Sequence, residues 1–168
     1  WELSRTSSAG EGYRQRLPLS AVAARRELMS RWGAASHGTT YGGSPVSCAA
    51  ALATLRVIRE EKLLENARLQ GSHLLAELRR LQAESPIVGD VRGIGLMTAV
   101  EFVQVGGRSP NPEAVQRILK RALAGGLLLY PCGHWAQTIR LIPPLNVTRA
   151  QLEEGLEVFR QAVLAEEA

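Results

Sequence analysis

Residues 37–45, His-Gly-Thr-Thr-Tyr-Gly-Gly-Ser-Pro, run straight into the apolar sequence Val-Ser-Cys-Ala-Ala-Ala-Leu-Ala-Thr-Leu-Arg-Val-Ile at 46–58, and no other stretch constrains the fold as tightly. Gly42 and Gly43 permit a tight turn and a close approach of the backbone to a ligand. Ser44 is placed to cap a helix that starts with Pro45, where the missing N–H costs nothing. A helix is therefore expected over 45–60, apolar nearly all round, ending at the hydrated Glu60-Glu61-Lys62 break. Unpaired N–H groups and the helix dipole at its start favour a phosphate or carboxylate, with the hydroxyls of Thr39, Thr40 and Ser44 available to donate. A Gly-rich loop that caps a core helix and binds nothing fits the same residues.

Downstream, Leu63, Leu64, Ala67, Gly71, Leu74, Leu75, Leu78 and Leu81 recur at three-and-four spacing and predict a second long helix over 62–83, with Glu65, Arg68, Glu77 and Arg80 on its solvated face. Residues 91–95 read as a turn and 96–103 as a strand. A helix over 112–124 is closed by Gly125-Gly126, a strand follows over 127–130, and another over 138–142 stops at Pro143-Pro144. Thr148 and Gln151 form a capping box that opens a last helix to about residue 165, with Leu152, Leu156, Phe159 and Val163 inward. Upstream, 17–22 is strand-like and a small helix lies around 25–30, whereas 1–16 shows no periodicity and reads as an irregular tail.

Several classes of function are excluded. The net charge of +4 comes from basic residues interspersed with acids, with no stripe that would serve nucleic acid. No run approaches the length of a membrane span, so no membrane partner is expected and a cytoplasmic location is. Cys48 and Cys132 lack C-x-x-C spacing, and Cys48 is expected in the core. His37, His73 and His134 have no acid at ligand spacing, so no metal site is expected. Gly93-Ile-Gly95 precedes a strand instead of following one, which rules out a dinucleotide-binding turn.

Five ordered blocks carry a resemblance: Leu-Pro-Leu-Ser-Ala-Val at 17–22, His-Gly-Thr-Thr-Tyr-Gly-Gly at 37–43, Val-Arg-Gly-Ile-Gly-Leu-Met at 91–97 with Ala-Val-Glu-Phe at 99–102, Arg-Ala-Leu-Ala-Gly-Gly-Leu-Leu-Leu at 121–129, and Thr-Ile-Arg-Leu-Ile-Pro-Pro-Leu at 138–145. From residue 17 to about 164 the chain resembles the C-terminal part of a class III pyridoxal-phosphate-dependent aminotransferase, of the 4-aminobutyrate aminotransferase type. The resemblance implies an α+β fold. Residues 61–168 would be the C-terminal small domain of a fold-type I aminotransferase, an antiparallel sheet of three or four strands covered by helices. Residues 17–60 would be a remnant of the large cofactor-binding domain and its interdomain helix.

The same resemblance implies transfer of an amino group between an amino compound and a 2-oxo acid, with pyridoxal phosphate as cofactor and a homodimer, or a missing large domain, as partner. It places Thr40, supported by Thr39, on the cofactor phosphate of the neighbouring subunit. Arg140 would grip the substrate carboxylate, as a planar guanidinium on a rigid strand can. A plain turn residue at 40 and a surface or ion-paired arginine at 140 are the simpler readings. Aligned on Leu17-Pro18, the Schiff-base lysine of the family falls on position 11, which here is Glu11. Lys62, at a helix junction, and Lys120, on an amphipathic helix, are expected to face solvent, so the chain alone is expected to be inactive and to hold no cofactor covalently. A coding sequence for the family pattern, read two bases late, encodes Gly-Tyr-Arg-Gln-Arg, the residues at 12–16. Residues up to Arg16 are accordingly expected to come from a shifted frame corrected just before Leu17. A non-catalytic dimerising module derived from the same family is the alternative.

Overall fold

The computed structural model describes residues 7–9, 17, 19, 21–34, 36, 38, 40 and 42–166. The chain forms two compact units that meet in sequence between Glu61 and Lys62. In the first, β1 (Ser7–Ala9) pairs antiparallel with β2 (Ala21–Ala23), followed by α1 (Arg26–Met29) and α2 (Pro45–Glu60). The strand at Ser7–Ala9 departs from the irregular tail expected there. Backbone pairing with β2 supplies what this Ser-Ser-Ala sequence has no side-chain pattern to announce.

Helix α2 has the expected bounds, with Pro45 in its first turn. It buries only Ser47 and Ala51, leaving Val46 67% and Leu52 66% exposed. Cys48, expected in the core, is half-buried because its turn of the helix packs on one side only.

The second unit comprises α3 (Leu63–Glu84), β3 (Val88–Ile94), β4 (Met97–Phe102), α4 (Pro112–Ala124), β5 (Tyr130–Cys132), β6 (Thr138–Leu141) and α5 (Arg149–Leu164). Its strands form one antiparallel sheet in the order β3-β4-β6-β5, as the α+β expectation required. Along β4 and β6, Thr98, Val100, Phe102, Ile139 and Leu141 are buried and meet Leu74 and Leu78 of α3, Val115 and Ile118 of α4, and Phe159 and Val163 of α5 in one core. Burial of each large side chain contributes roughly 1.5–3 kcal/mol of transfer free energy. The α3 stripe runs 63, 67, 71, 74, 78, 81, and Leu64, counted inward from sequence, falls off it and is 72% exposed.

Residues 91–95, read as a turn, instead form the end of β3 and the first turn residue. Gly95, at φ +55°, and Leu96 alone connect β3 to β4, with Ile94 pairing to Met97. Helix α3 approaches this hairpin so closely that a Cβ on Gly71 would lie 2.2 Å from the Gly95 carbonyl carbon. The strand expected over 127–130 begins only at Tyr130. At the end of α4 the Leu127 N–H donates to the Ala122 carbonyl at 2.8 Å and the Gly126 N–H to Leu123 at 3.0 Å, a Schellman motif that commits Leu127 to the helix end.

Helices α4 and α5 are tied by Glu166, whose buried carboxylate accepts from Arg117 Nε at 2.7 Å and from Arg121. The capping box is formed: Gln151 N–H donates to Thr148 Oγ1 at 3.3 Å and Thr148 N–H to Gln151 Oε1 at 3.0 Å.

Candidate functional site

Arg140 sits in the middle of β6, between the buried Ile139 and Leu141, and the strand alternation turns it onto the outer face of the sheet. The register sets its neighbours: Ala99 of β4 on one side and Tyr130 of β5 on the other. The row continues from Ala99 to Arg92 of β3. Side chains of cross-strand partners share a face, so the outer face carries Tyr130, Arg140, Ala99 and Arg92 in that order.

The two arginines of this row differ in kind. Arg92 donates to Asp90 at 2.5 Å and to Glu101 at 3.0 Å. The hydrogen bond to Asp90 first, and then that to Glu101, raises its pKa above the ordinary arginine value, so its charge is neutralised locally by these two carboxylates. Arg140 has no acid within ion-pair distance among the described residues. It is exposed and borders a cavity of about 560 Å³ beside Tyr130, Leu128, Ile142, Pro143 and the start of α5. The loop beyond Pro143-Pro144 is held by Asn66 of α3, whose amide donates to the carbonyls of Leu145 at 2.7 Å and Val147 at 3.1 Å. Neither Tyr130 nor Asn66 was singled out from sequence, since each acquires its place only once strand register and the α3 contact are known.

In the first unit, Thr40 lies in a turn and is exposed, and Gly43 has φ +74° just before α2. Ser44 is the N-cap residue, and its side chain makes no capping hydrogen bond. A helix start led by a glycine turn, with Thr40 and Ser44 close by in sequence, offers backbone N–H groups and hydroxyls of the kind that suit a phosphate. Thr39, His37, Tyr41 and Glu11 lie outside the described residues, as do residues 1–6 and 10–16 of the stretch up to Arg16 expected to come from a shifted frame. Thr40 and Arg140 fall in different units.

Lys62 caps α3 with φ 51° and Lys120 lies on α4, both exposed. His73, read as having no acid beside it, does have two: Nδ1 is 3.8 Å from Glu77 and Nε2 is 3.6 Å from Glu153 of α5. The second acid is eighty residues away in sequence, beyond the reach of spacing. No group of three His, Cys, Asp or Glu side chains among the described residues is placed to hold a metal. No described helix is long and apolar enough to cross a membrane.

The family described as aminotransferase class-III matches residues 10–163. A 5-aminovalerate aminotransferase of Pseudomonas aeruginosa is 44% identical over 92% of this chain, and a 4-aminobutyrate aminotransferase of Mycobacterium leprae is 40% identical over 89%. The chain spans only 35% and 33% of the length of these two relatives. Among solved structures, an ornithine delta-aminotransferase of Plasmodium falciparum superposes with a TM-score of 0.83 at 32% identity, over 95% of this chain and 40% of that one.

Proposed function

The chain belongs to the class-III aminotransferase family, and from that premise we propose that it is part of a pyridoxal-phosphate-dependent enzyme that moves an amino group from a 4-aminobutyrate-like amino compound to a 2-oxo acid. Arg140 carries the reading: a guanidinium with no acid at ion-pair distance among the described residues, on a strand fixed by neighbours on both sides and bordering a cavity. Its planar fork holds the carboxylate of either substrate, and the rigid strand fixes the direction from which the rest of the molecule approaches. The phosphate of the cofactor is held at Thr40, with Thr39 beside it, by hydroxyls and the open N-terminus of α2. When bound, pyridoxal phosphate supplies an electron sink for the carbon that loses its proton. In a cytoplasmic homodimer, Thr40 would serve the neighbouring subunit, and the exposed apolar side of α2 is consistent with such burial.

The proton shuttle is what this chain lacks. Position 11 is Glu11, and the exposed Lys62 and Lys120 border neither the Thr40 turn in sequence nor the Arg140 row in the sheet. We therefore propose that the chain alone binds substrate carboxylates but does not turn over.

Two measurements test the reading. Calorimetric titration with 2-oxoglutarate should show binding that Arg140→Ala abolishes, and binding unchanged by that substitution would refute the carboxylate assignment. Borohydride reduction after addition of pyridoxal phosphate should leave Lys62 and Lys120 unlabelled. A stoichiometric adduct at either would overturn the inactivity proposal. Resequencing the DNA through codons 1–20 and upstream decides between a misframed aminotransferase and a non-catalytic module, because only the first has a frame that restores the lysine.

A further inference from the structure

Glu101 stands between two arginines. On β4 it lies two residues beyond Ala99, and Ala99 is the cross-strand partner both of Arg92 on β3 and of Arg140 on β6. Glu101 itself pairs with Asp90 on one side and with Thr138 on the other. Its side chain therefore shares the outer face with both guanidiniums and is diagonal to each, at the separation of about 7–8 Å that long side chains bridge across a sheet. It answers one of them: Arg92 Nη1 lies 3.0 Å from Glu101 Oε2 and 2.5 Å from Asp90 Oδ2, and no ion pair joins Glu101 to Arg140 among the described residues. Asp90 and Glu101 face each other directly across the ladder, an arrangement of like charges that costs stability unless a cation lies between them. Arg92 is that cation. Without it, repulsion from Asp90 turns Glu101 away from β3 and toward the remaining guanidinium within its reach, that of Arg140.

We propose that Arg92 is a positioning residue for the carboxylate site: by holding Glu101 toward β3, it keeps the chain's own acid off Arg140 and leaves that guanidinium open to the carboxylate of a ligand. The proposal rests on Arg140 as the carboxylate clamp and adds what keeps the clamp open. A guanidinium that already holds a carboxylate from its own sheet must release it before it can take another, so the ion pair formed within the sheet would be subtracted from every ligand's affinity. Arg92 touches no ligand in this scheme and acts through Glu101 alone.

The test is calorimetric titration of the 168-residue chain and its variants with 2-oxoglutarate, with circular dichroism to show that each variant is folded. Arg92→Met should weaken binding roughly two- to fivefold, the range set by one partly exposed ion pair that the ligand must now displace. Adding Glu101→Gln to Arg92→Met should restore the parent affinity, because the competitor is gone. Adding Asp90→Asn instead brings the net charge to the same value but should leave binding weakened, because Asp90 lies two strands from β6 and Glu101 is still free to turn. Arg92→Gln, which keeps a polar side chain at this position, should weaken binding in the same direction and carries the test if Arg92→Met does not fold. Binding that both Arg92 variants leave at the parent affinity, or that Asp90→Asn restores as fully as Glu101→Gln, refutes Arg92 as the positioning residue; abolition of binding by Arg140→Ala would then show that the clamp stands without it. If Arg140→Ala binds as tightly as the parent, or the parent does not bind, the clamp itself fails and the role of Arg92 with it.

Discussion

Helices α3 and α5 each carry one interior glycine, and the surroundings of the two predict opposite responses to the same substitution. At Gly71 an added Cβ would lie 2.2 Å from both the carbonyl carbon and oxygen of Gly95 and 2.6 Å from its Cα. These are backbone atoms of a two-residue turn, so relief requires α3 and the hairpin to separate by about 1 Å, in a core whose dispersion contacts fade over that distance. Overpacking of this kind costs roughly 1–3 kcal/mol, and a backbone clash belongs at the upper end. Against it stands the helix-propensity gain of glycine to alanine, about 1 kcal/mol. Gly71→Ala should therefore destabilise by about 2 kcal/mol net. At Gly155 the nearest atom to an added Cβ is Leu127 Cδ1 at 3.7 Å, an ordinary contact, so only the propensity gain remains and Gly155→Ala should stabilise by up to about 1 kcal/mol. Urea unfolding of both variants, followed by circular dichroism of the helices, measures the two signs side by side. A Gly71→Ala protein as stable as the parent would refute the close approach of α3 to the hairpin, and equal shifts at both positions would refute packing as the discriminator.

Glu166→Ala should loosen the α4–α5 pair by roughly 1–3 kcal/mol, since it removes charge-assisted hydrogen bonds to Arg117 and Arg121, with raised hydrogen exchange in α5 as the readout. The raised pKa of Arg92 adds stability that is fully present below the ordinary arginine value and is lost only as pH climbs through the still higher folded one. The stability difference between the parent and Arg92→Met should therefore stay flat from about pH 6 to 9 in denaturant titrations, and a slope there would contradict the sign. In a full-length enzyme with a lysine at position 11, Thr40→Ala should weaken cofactor retention by about 1–3 kcal/mol. Arg140→Ala in that enzyme should leave the cofactor spectrum intact and raise the Michaelis constant for the 2-oxo acid roughly a hundredfold, about 3 kcal/mol. Titrations with cofactor and with acceptor separate the two.

Where local chemistry decides the structure, the sequence could be read directly. Pro45, the Gly125-Gly126 pair, the Thr148/Gln151 box and Pro143-Pro144 each act on their own few residues, and the elements they bound lie where expected. Strand β3 was missed over 91–94 because Gly89 and Gly93 mask its alternation and Gly95 ends it; Gly93 serves close backbone approach, an added Cβ lying 2.7 Å from the Met97 carbonyl oxygen, whereas Gly95 supplies the positive φ of the turn. The three leucines at 127–129 imitate a strand, yet the N–H of Leu127 is already spent on the end of α4. At the candidate site, the type and place of Arg140 were legible, but its freedom from acids and its pairing with Tyr130 are properties of register, which no single segment encodes.

The two margins of the four-stranded sheet bear on how the chain meets copies of itself. One margin, β5, is three residues long and contains Pro131, so it offers a newcomer a short ladder with a missing donor. The other, β3, is interrupted by the register shift between Val88 and Asp90. Neither margin can template the indefinite, in-register stacking from which amyloid grows, even though much apolar surface lies open elsewhere. The exposed apolar side chains of α2, Val46 and Leu52 among them, are where self-association is expected instead.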